Sequence, residues 1–405
     1  MINIAVLGYG TVGSGVVEVI KTNQDIVNKK AGEDINIKYV LDLREFPGDP
    51  VMDILVHDYD VILNDPEVEI VAEVMGGVNP AYQFVKAALE KGKSVCTSNK
   101  ELVAKHGPEL IEIAKKNNRN FFFEASVGGG IPIIRPLIQC ITADDVTHIT
   151  GILNGTTNYI LTKMCKEGLD FDTVLKEAQD LGYAERNPSA DVDGFDACRK
   201  IAILTSLAYG KHVDFEDIYT EGITKITDTD FKYANSIGCS VKLFGEATKV
   251  DGNIYASVAP VMISGDNPLF SVNGVFNGIL VNGNVLGDVM FYGSGAGKLP
   301  TASAVVSDIV DAVKNLNTNI AIEWTDEKLE LADYKTSEKK FFVRVNGTVA
   351  DKLSEVESAF GKVEVITLDE LKDEFAFITE VMSENKYEEA AAKVDGIVTR
   401  IRMGN

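Results

Sequence analysis

The chain has 405 residues, 45% of them apolar and 25% charged, the make-up of a globular protein with room for two or three domains. Its 39 basic residues against 61 acidic ones leave a net charge of −22, which argues against nucleic acid or another polyanion as partner. No apolar run reaches the roughly eighteen residues of a membrane span, and Met1 leads straight into a strand pattern with no basic leader, so a cytoplasmic protein is expected.

Met1–Leu7 is an apolar run of strand length that ends in Gly8-Tyr-Gly10-Thr11-Val12-Gly13, after which Val16, Val17, Val19 and Ile20 continue as a helix. A GxGxxG turn with a strand before it and a helix after it is a dinucleotide signature. The glycines allow a tight turn and close approach to a pyrophosphate, and the helix N-terminus supplies positive partial charge. A second strand, Ile35–Leu41, ends at Asp42 with Arg44 two residues on. An acid there takes the ribose hydroxyls of NAD, whereas an arginine accommodates the 2′-phosphate of NADP, so either cofactor is expected, with a lean to NADP or dual use. Strands at Glu69–Met75 and Ser94–Thr97, with a helix over Pro80–Lys91 between them, extend the alternation to a parallel α/β sheet. Lys100 follows the second of these strands, at the edge where ligands of such sheets bind.

A further strand is expected over Phe121–Glu124, leading into Ala-Ser-Val127-Gly-Gly129-Gly-Ile131-Pro132. The carbonyls of so irregular a loop, with the Glu124 carboxylate, are oxygen ligands for a hard monovalent cation; the other reading is a tight connection. Ile149–Asn158 runs from strand to helix, and Phe171–Leu181 is a helix stopped by Gly182, with Glu185 in the loop beyond. A carboxylate there suits a substrate ammonium group.

In Asp191-Val-Asp-Gly-Phe-Asp196-Ala-Cys-Arg-Lys200, the last acid and the lysine are four residues apart, on one face of a helix. Ile201, Leu204 and Leu207 recur at helical spacing and would anchor the opposite side. Spacing alone reads as a surface ion pair. The same spacing would also hold an ammonium and a carboxylate at fixed separation for acid/base work. Asp288–Tyr292 is then a strand entering Gly293-Ser-Gly-Ala-Gly297, a second glycine loop opening a helix over Ala302–Val313, suited to an anion or the cofactor.

After Trp324 a charged run reads as a linker, followed by strand, helix, two strands, helix and strand from Phe341 to Arg402. That order resembles an ACT domain, a small amino-acid sensor. Such domains often carry Pro-Gly after the first strand, where this chain has Asn346-Gly-Thr-Val-Ala-Asp351. The five cysteines, Cys96, Cys140, Cys165, Cys198 and Cys239, stand singly, without the close pairing of a zinc or redox site.

Taken together, GYGTVG at Gly8, SNKELVA at Ser98, EASVGGGIPII at Glu124, GILNGTTNYI at Gly151, AQDLGYAERNPSADVDGFDACRKIAIL at Ala178 and YGSGAGKLPTASAVVSD at Tyr292 resemble homoserine dehydrogenases of the monofunctional type with a C-terminal ACT domain, over nearly the whole chain. The resemblance implies NAD(P)-dependent interconversion of L-homoserine and L-aspartate 4-semialdehyde, in threonine, methionine and isoleucine biosynthesis. It implies Lys200 as proton donor, Asp196 and Glu185 on homoserine, and Gly182 and Lys100 on cofactor or substrate. By the same likeness Glu124, Val127, Gly129 and Ile131 match a sodium site, a homodimer or homotetramer is expected, and threonine is a candidate effector. The implied domains are a Rossmann domain over 1–130, with the helix near 302–316 packing back on it, a substrate and dimerisation domain over 131–320, a linker over 321–340 and an ACT-like domain over 341–405.

The alternatives are another Rossmann reductase of aldehydes or imines, and a nicotinamide-sensing regulator. No cysteine–histidine motif of a phosphorylating aldehyde dehydrogenase is present, His57, His106, His148 and His212 lie far apart, and no basic DNA-reading helix appears. An ordinary lysine, with a pKa of about 10.4, is a poor base at neutral pH, so homoserine oxidation through Lys200 should quicken into the alkaline range.

Overall fold

A computed structural model describes residues 1–404. The chain forms two compact units, the first from Met1–Asp145, Ala202–Phe215 and Phe291–Leu329, the second from Val146–Ile201, Glu216–Met290 and Glu330 onward.

The first unit opens with β1 (Ile2–Leu7), α1 (Thr11–Thr22), α2 (Gln24–Ala31), β2 (Ile35–Leu41), β3 (Leu55–Val56), α3 (Tyr59–Leu63), β4 (Val68–Glu73), α4 (Ala81–Glu90), β5 (Ser94–Thr97), α5 (Lys100–Lys116) and β6 (Phe121–Phe122). These strands make one parallel sheet in the order β3-β2-β1-β4-β5-β6, so the direction of winding reverses between β1 and β4. Helices cover both faces of such a sheet, which is why Ile4, Ala5, Val6 and Leu7 run as an unbroken apolar strand with no exposure. The strand expected over Phe121–Glu124 is shorter than its apolar run. It ends at Phe122, and Glu124–Ser126 turns as a 3₁₀ helix.

The chain continues through β7 (Val146–Ile152), α6 (Gly155–Glu167), α7 (Phe171–Asp180), α8 (Ser189–Val192), α9 (Phe195–Tyr209), β8 (Tyr219–Thr220), α10 (Asp228–Ser236), β9 (Cys239–Val250), β10 (Asn253–Ser264), β11 (Phe276–Gly283), β12 (Gly287–Ser294) and α11 (Lys298–Lys314). Helix α11 lies against α1 in the first unit. A Cβ on Gly15 would come within 2.8 Å of the Lys298 carbonyl oxygen and 3.0 Å of Ala302 Cβ, so glycine sets how closely the two helices approach. Val16, Val17, Val305 and Ile309 share one core there.

The last elements are β13 (Glu338–Asn346), α12 (Val349–Phe360), β14 (Val363–Leu368), β15 (Leu371–Thr379), β16 (Met382–Ser383), α13 (Glu384–Ala391) and β17 (Ile397–Met403). Their four main strands lie in the order β17-β13-β15-β14, a ferredoxin-like arrangement. Thr348 and Ser383 cap the two helices by accepting the Asp351 and Lys386 N–H groups. This segment does not stand apart. Strand β17 adds in parallel to β10 through Val261–Arg402 and Met262–Met403, and one sheet runs β12-β11-β7-β9-β10-β17-β13-β15-β14.

The charged run after Trp324 is also held down. Trp324 is 3% exposed and packs on Gly107, the Thr325 N–H donates to the Gly210 carbonyl (2.9 Å), and the Leu329 N–H donates to that of His212 (2.7 Å). An apolar anchor within a polar run keeps its charges in water while fixing its backbone.

Candidate active site

In the first unit the glycine turn is built to hold an anion. Gly8 has φ +97°, a value that L side chains rarely adopt, and its N–H donates to the Leu41 carbonyl (2.8 Å). A Cβ at Gly13 would collide with the Gly8 carbonyl, lying 2.9 Å from its carbon. Gly10 begins α1 without a side-chain cap, and neither Thr11, Val12 nor any other first-turn residue is acidic. The helix N-terminus therefore presents its backbone donors at a cradle with no side chain to fill it, which fits a dinucleotide pyrophosphate. Gly13→Ala is expected to weaken binding of either nicotinamide at least about tenfold and to destabilise the protein by about 1–3 kcal/mol, read by cofactor titration and thermal melting.

Asp42 closes the turn. Its Oδ2 accepts the Tyr9 N–H (2.8 Å), and the Arg44 guanidinium grips the carboxylate through Nε (3.0 Å) and Nη2 (2.9 Å). Arg44 holds the Asp42 carboxyl far below the usual carboxylate range. The two residues that point to different cofactors are thus one ion pair, with the arginine on the solvent side.

The loop from Glu124 to Ile131 departs from expectation at one atom group. The Glu124 carboxylate is 3% exposed and accepts three backbone N–H groups, those of Ile133 (2.6 Å), Ile134 (2.8 Å) and Arg135 (2.8 Å). It serves as an anchor for the following turn. Among the described residues no group of three or more His, Cys, Asp or Glu side chains is arranged to hold a metal. Gly129, at φ +56°, lies against the second glycine loop, where a Cβ would sit 2.6 Å from the Gly295 carbonyl carbon, and the Gly130 N–H donates to the Ser294 carbonyl (3.1 Å). Gly297 then opens α11 at φ +119°, again without a side-chain cap. Lys100 is the first residue of α5, behind the Asn99 cap that accepts the Leu102 N–H (3.1 Å).

In the second unit Asp196 and Lys200 lie on one face of α9, as their spacing requires, but they are not a surface pair. They are 4% and 9% exposed. Lys200 Nζ donates to Asp196 Oδ2 (2.7 Å) and to the Leu153 carbonyl at the end of β7 (2.7 Å). The Asn154 Nδ2 group bridges two carboxylates, Asp196 Oδ2 (2.9 Å) and Asp191 Oδ1 (2.7 Å), while its Oδ1 accepts the Thr157 N–H and caps α6. Asn154, Asp191 and the Leu153 carbonyl are members of the site that sequence reading missed. An Asn before Gly-Thr-Thr at a strand-to-helix junction is a capping signal and could have been found; its second task could not. Gly182 turns the chain at φ +76°, and Glu185 is exposed beyond it, in a loop tied to α6 by the Thr156 hydroxyl donating to the Tyr183 carbonyl (2.6 Å).

A buried lysine fixed by a carboxylate and a carbonyl, in a chain with a dinucleotide cradle, defines an NAD(P)-dependent oxidoreductase acting on a CH–OH group. The sequence model described as "Homoserine dehydrogenase" matches residues 132–310, and that described as "Homoserine dehydrogenase, NAD binding domain" matches residues 8–124. Homoserine dehydrogenase of Bacillus subtilis is 44% identical over 322 residues, 79% of this chain and 74% of that protein. The Mycobacterium tuberculosis enzyme is 40% identical over 379 residues, 90% of this chain and 85% of its own. Among solved structures, a homoserine dehydrogenase from Thiobacillus denitrificans superposes with a TM-score of 0.91 at 33% identity, covering 100% of this chain and 98% of that one. A hyperthermophilic archaeal homoserine dehydrogenase mutant in complex with NADPH superposes with a TM-score of 0.66 at 32% identity, covering 77% and 97%. The chain belongs to the homoserine dehydrogenase family, which disfavours both alternative readings. No helix among the described residues is long and apolar enough to cross a membrane.

Proposed function

We propose that this homoserine dehydrogenase interconverts L-homoserine and L-aspartate 4-semialdehyde with Lys200 as acid/base. The observation that carries this is the buried Asp196–Lys200 pair pinned by Leu153 and Asn154. The nicotinamide, when bound, supplies or accepts the hydride. In reduction, negative charge grows on the aldehyde oxygen. Asp196 and the Leu153 carbonyl take two of the three Lys200 N–H groups, and the third stabilises that oxygen and passes it a proton. In oxidation the lysine takes the carbinol proton. Asp196 and Glu185 are assigned to homoserine, and Gly182, Glu185, Lys100 and Gly297 to cofactor or substrate, on the family's motifs.

The pyrophosphate is assigned to the Gly8–Gly13 turn. Arg44 is assigned to the 2′-phosphate of NADP and Asp42 to the ribose hydroxyls of NAD. Arg44→Ala is expected to shift the ratio of kcat/KM for NADPH over NADH toward NADH by at least about tenfold, since it removes a charged partner of the phosphate and releases Asp42. A sodium ion, if held, would rest on the carbonyls of Glu124, Val127, Gly129 and Ile131. The C-terminal βαββαβ segment is read as an ACT domain, with threonine as effector and the enzyme as a homodimer or homotetramer in the cytoplasm. Turnover of L-aspartate 4-semialdehyde with each nicotinamide, with threonine titrated in, tests the activity and the effector together.

A further inference from the structure

Three turns at the carboxyl ends of β1, β4 and β5 meet around one side chain that the chemistry above does not use. Glu73 ends β4 and has no exposed surface. Its Oε1 accepts the Met75 N–H (2.8 Å), and its Oε2 accepts the Thr97 hydroxyl (2.6 Å) from the neighbouring strand. Each bond leads to a functional turn. The Met75 backbone and side chain lie against Gly8, where a Cβ would come within 3.0 Å of Met75 Cγ and 3.4 Å of its Cα. Thr97 Oγ1 in turn accepts the Asn99 N–H (2.9 Å), and Asn99 caps α5 at Lys100 while its Nδ2 reaches back to the Gly77 carbonyl (2.6 Å).

From this geometry we infer that Glu73 is a positioning residue for the nicotinamide cofactor, acting through Met75 on the Gly8–Gly13 turn and through Thr97 and Asn99 on the turn that carries Lys100. The inference deepens the cofactor-site reading given above and rests on it. An apolar residue would fill the same volume, and Glu73 is the one polar side chain among the buried residues of its strand, Val68, Ile70, Val71, Ala72 and Glu73. A buried carboxyl is a costly choice unless its hydrogen bonds matter. Burial pushes it up to about 7 against the bonds from Thr97, Met75 and Asn99.

The test uses the full-length protein and measures direct binding of NADPH and NADH together with steady-state turnover, for wild type, Glu73→Gln, Thr97→Val and Thr97→Ser. Glu73→Gln can still accept from Met75 but presents an N–H toward Thr97, and Thr97→Val removes the link altogether. The expected result is that both raise the cofactor Kd and KM about tenfold, lower kcat at saturating cofactor less than about threefold and leave KM for homoserine unchanged. Thr97→Ser, which keeps the hydroxyl, restores the wild-type values, and the double variant Glu73→Gln/Thr97→Val is no worse than the poorer single one. Cofactor Kd within twofold of wild type in both Glu73→Gln and Thr97→Val would overturn the inference, as would kcat and both KM values shifting together. Should Glu73→Gln fail to fold, the contrast between Thr97→Val and Thr97→Ser decides alone. Wild type that binds neither nicotinamide removes the cofactor-site reading itself, an outcome distinct from bound cofactor that is indifferent to Glu73.

Discussion

Replacing Lys200 by alanine is expected to lower kcat for reduction of L-aspartate 4-semialdehyde by about 10³-fold while NADPH affinity stays within about twofold. The size follows from the loss of the only proton donor the proposed mechanism assigns to the reacting oxygen. The unchanged affinity follows because Lys200 is not among the residues of the Gly8–Gly13 turn assigned to the pyrophosphate. Removing the ammonium also leaves Asp196 buried without its cation, so some stability is lost as well. Asn154 still donates to Asp196 Oδ2 in the variant, which moderates that loss. Binding and melting curves measured beside the kinetics keep the two effects apart. A kcat within about tenfold of wild type, in folded protein that binds NADPH, contradicts Lys200 as the acid/base.

The second large effect concerns stability. Arg402 on β17 is 2% exposed. Its Nε donates to Glu384 Oε1 (2.6 Å) and its Nη1 to Glu221 Oε2 (2.7 Å), and its guanidinium lies 5.0 Å and 5.3 Å from the ring centroids of Tyr219 and Tyr334. Glu221, half-buried, is held below the ordinary carboxylate range because Arg402 and Arg400 face it. Breaking such a buried pair costs about 3–5 kcal/mol when the carboxylate keeps no partner; Arg400 still faces both Glu384 and Glu221, so the loss falls at the lower end of that range. At about 2–4 °C per kcal/mol, Arg402→Ala is expected to lower Tm by about 10 °C. Glu384→Ala should do nearly the same, and the double variant should lose less than the two single losses combined. An unchanged Tm for Arg402→Ala, or strict additivity, contradicts this assignment. Arg344 makes the corresponding tie from β13, to Asp230 (2.8 Å) and Glu374 (2.9 Å). Together with the β10–β17 pairing, these clusters join the C-terminal segment to the sheet of the second unit as one structure.

What could be read in the sequence was local. The spacing of Gly8, Gly10 and Gly13 between a strand and a helix needs no distant residue to be recognised, and neither do four-residue spacing on α9 or the alternation that builds the parallel sheet. What escaped was set by distant partners. The Asp196–Lys200 spacing is that of a surface pair, and the pair is buried because the Leu153 carbonyl, 47 residues from Lys200, and Asn154, 42 from Asp196, close over it. Glu73 is one of two glutamates in its strand, and its role shows only once the β4–β5 register sets it beside Thr97. Glu124 reads as an available ligand until the chain doubles back and three backbone donors reach its carboxylate. The run after Trp324 reads as a tether by charge, yet the indole that fixes it packs against Gly107 more than 200 residues earlier.

The most direct test of the account adds L-aspartate 4-semialdehyde to the purified protein with NADPH, and separately with NADH, and follows nicotinamide oxidation together with the amino acid formed. The account predicts L-homoserine in equal amount to the nicotinamide oxidised, with turnover that disappears in Lys200→Ala. Absence of turnover with both nicotinamides, in protein that demonstrably binds them, would contradict it.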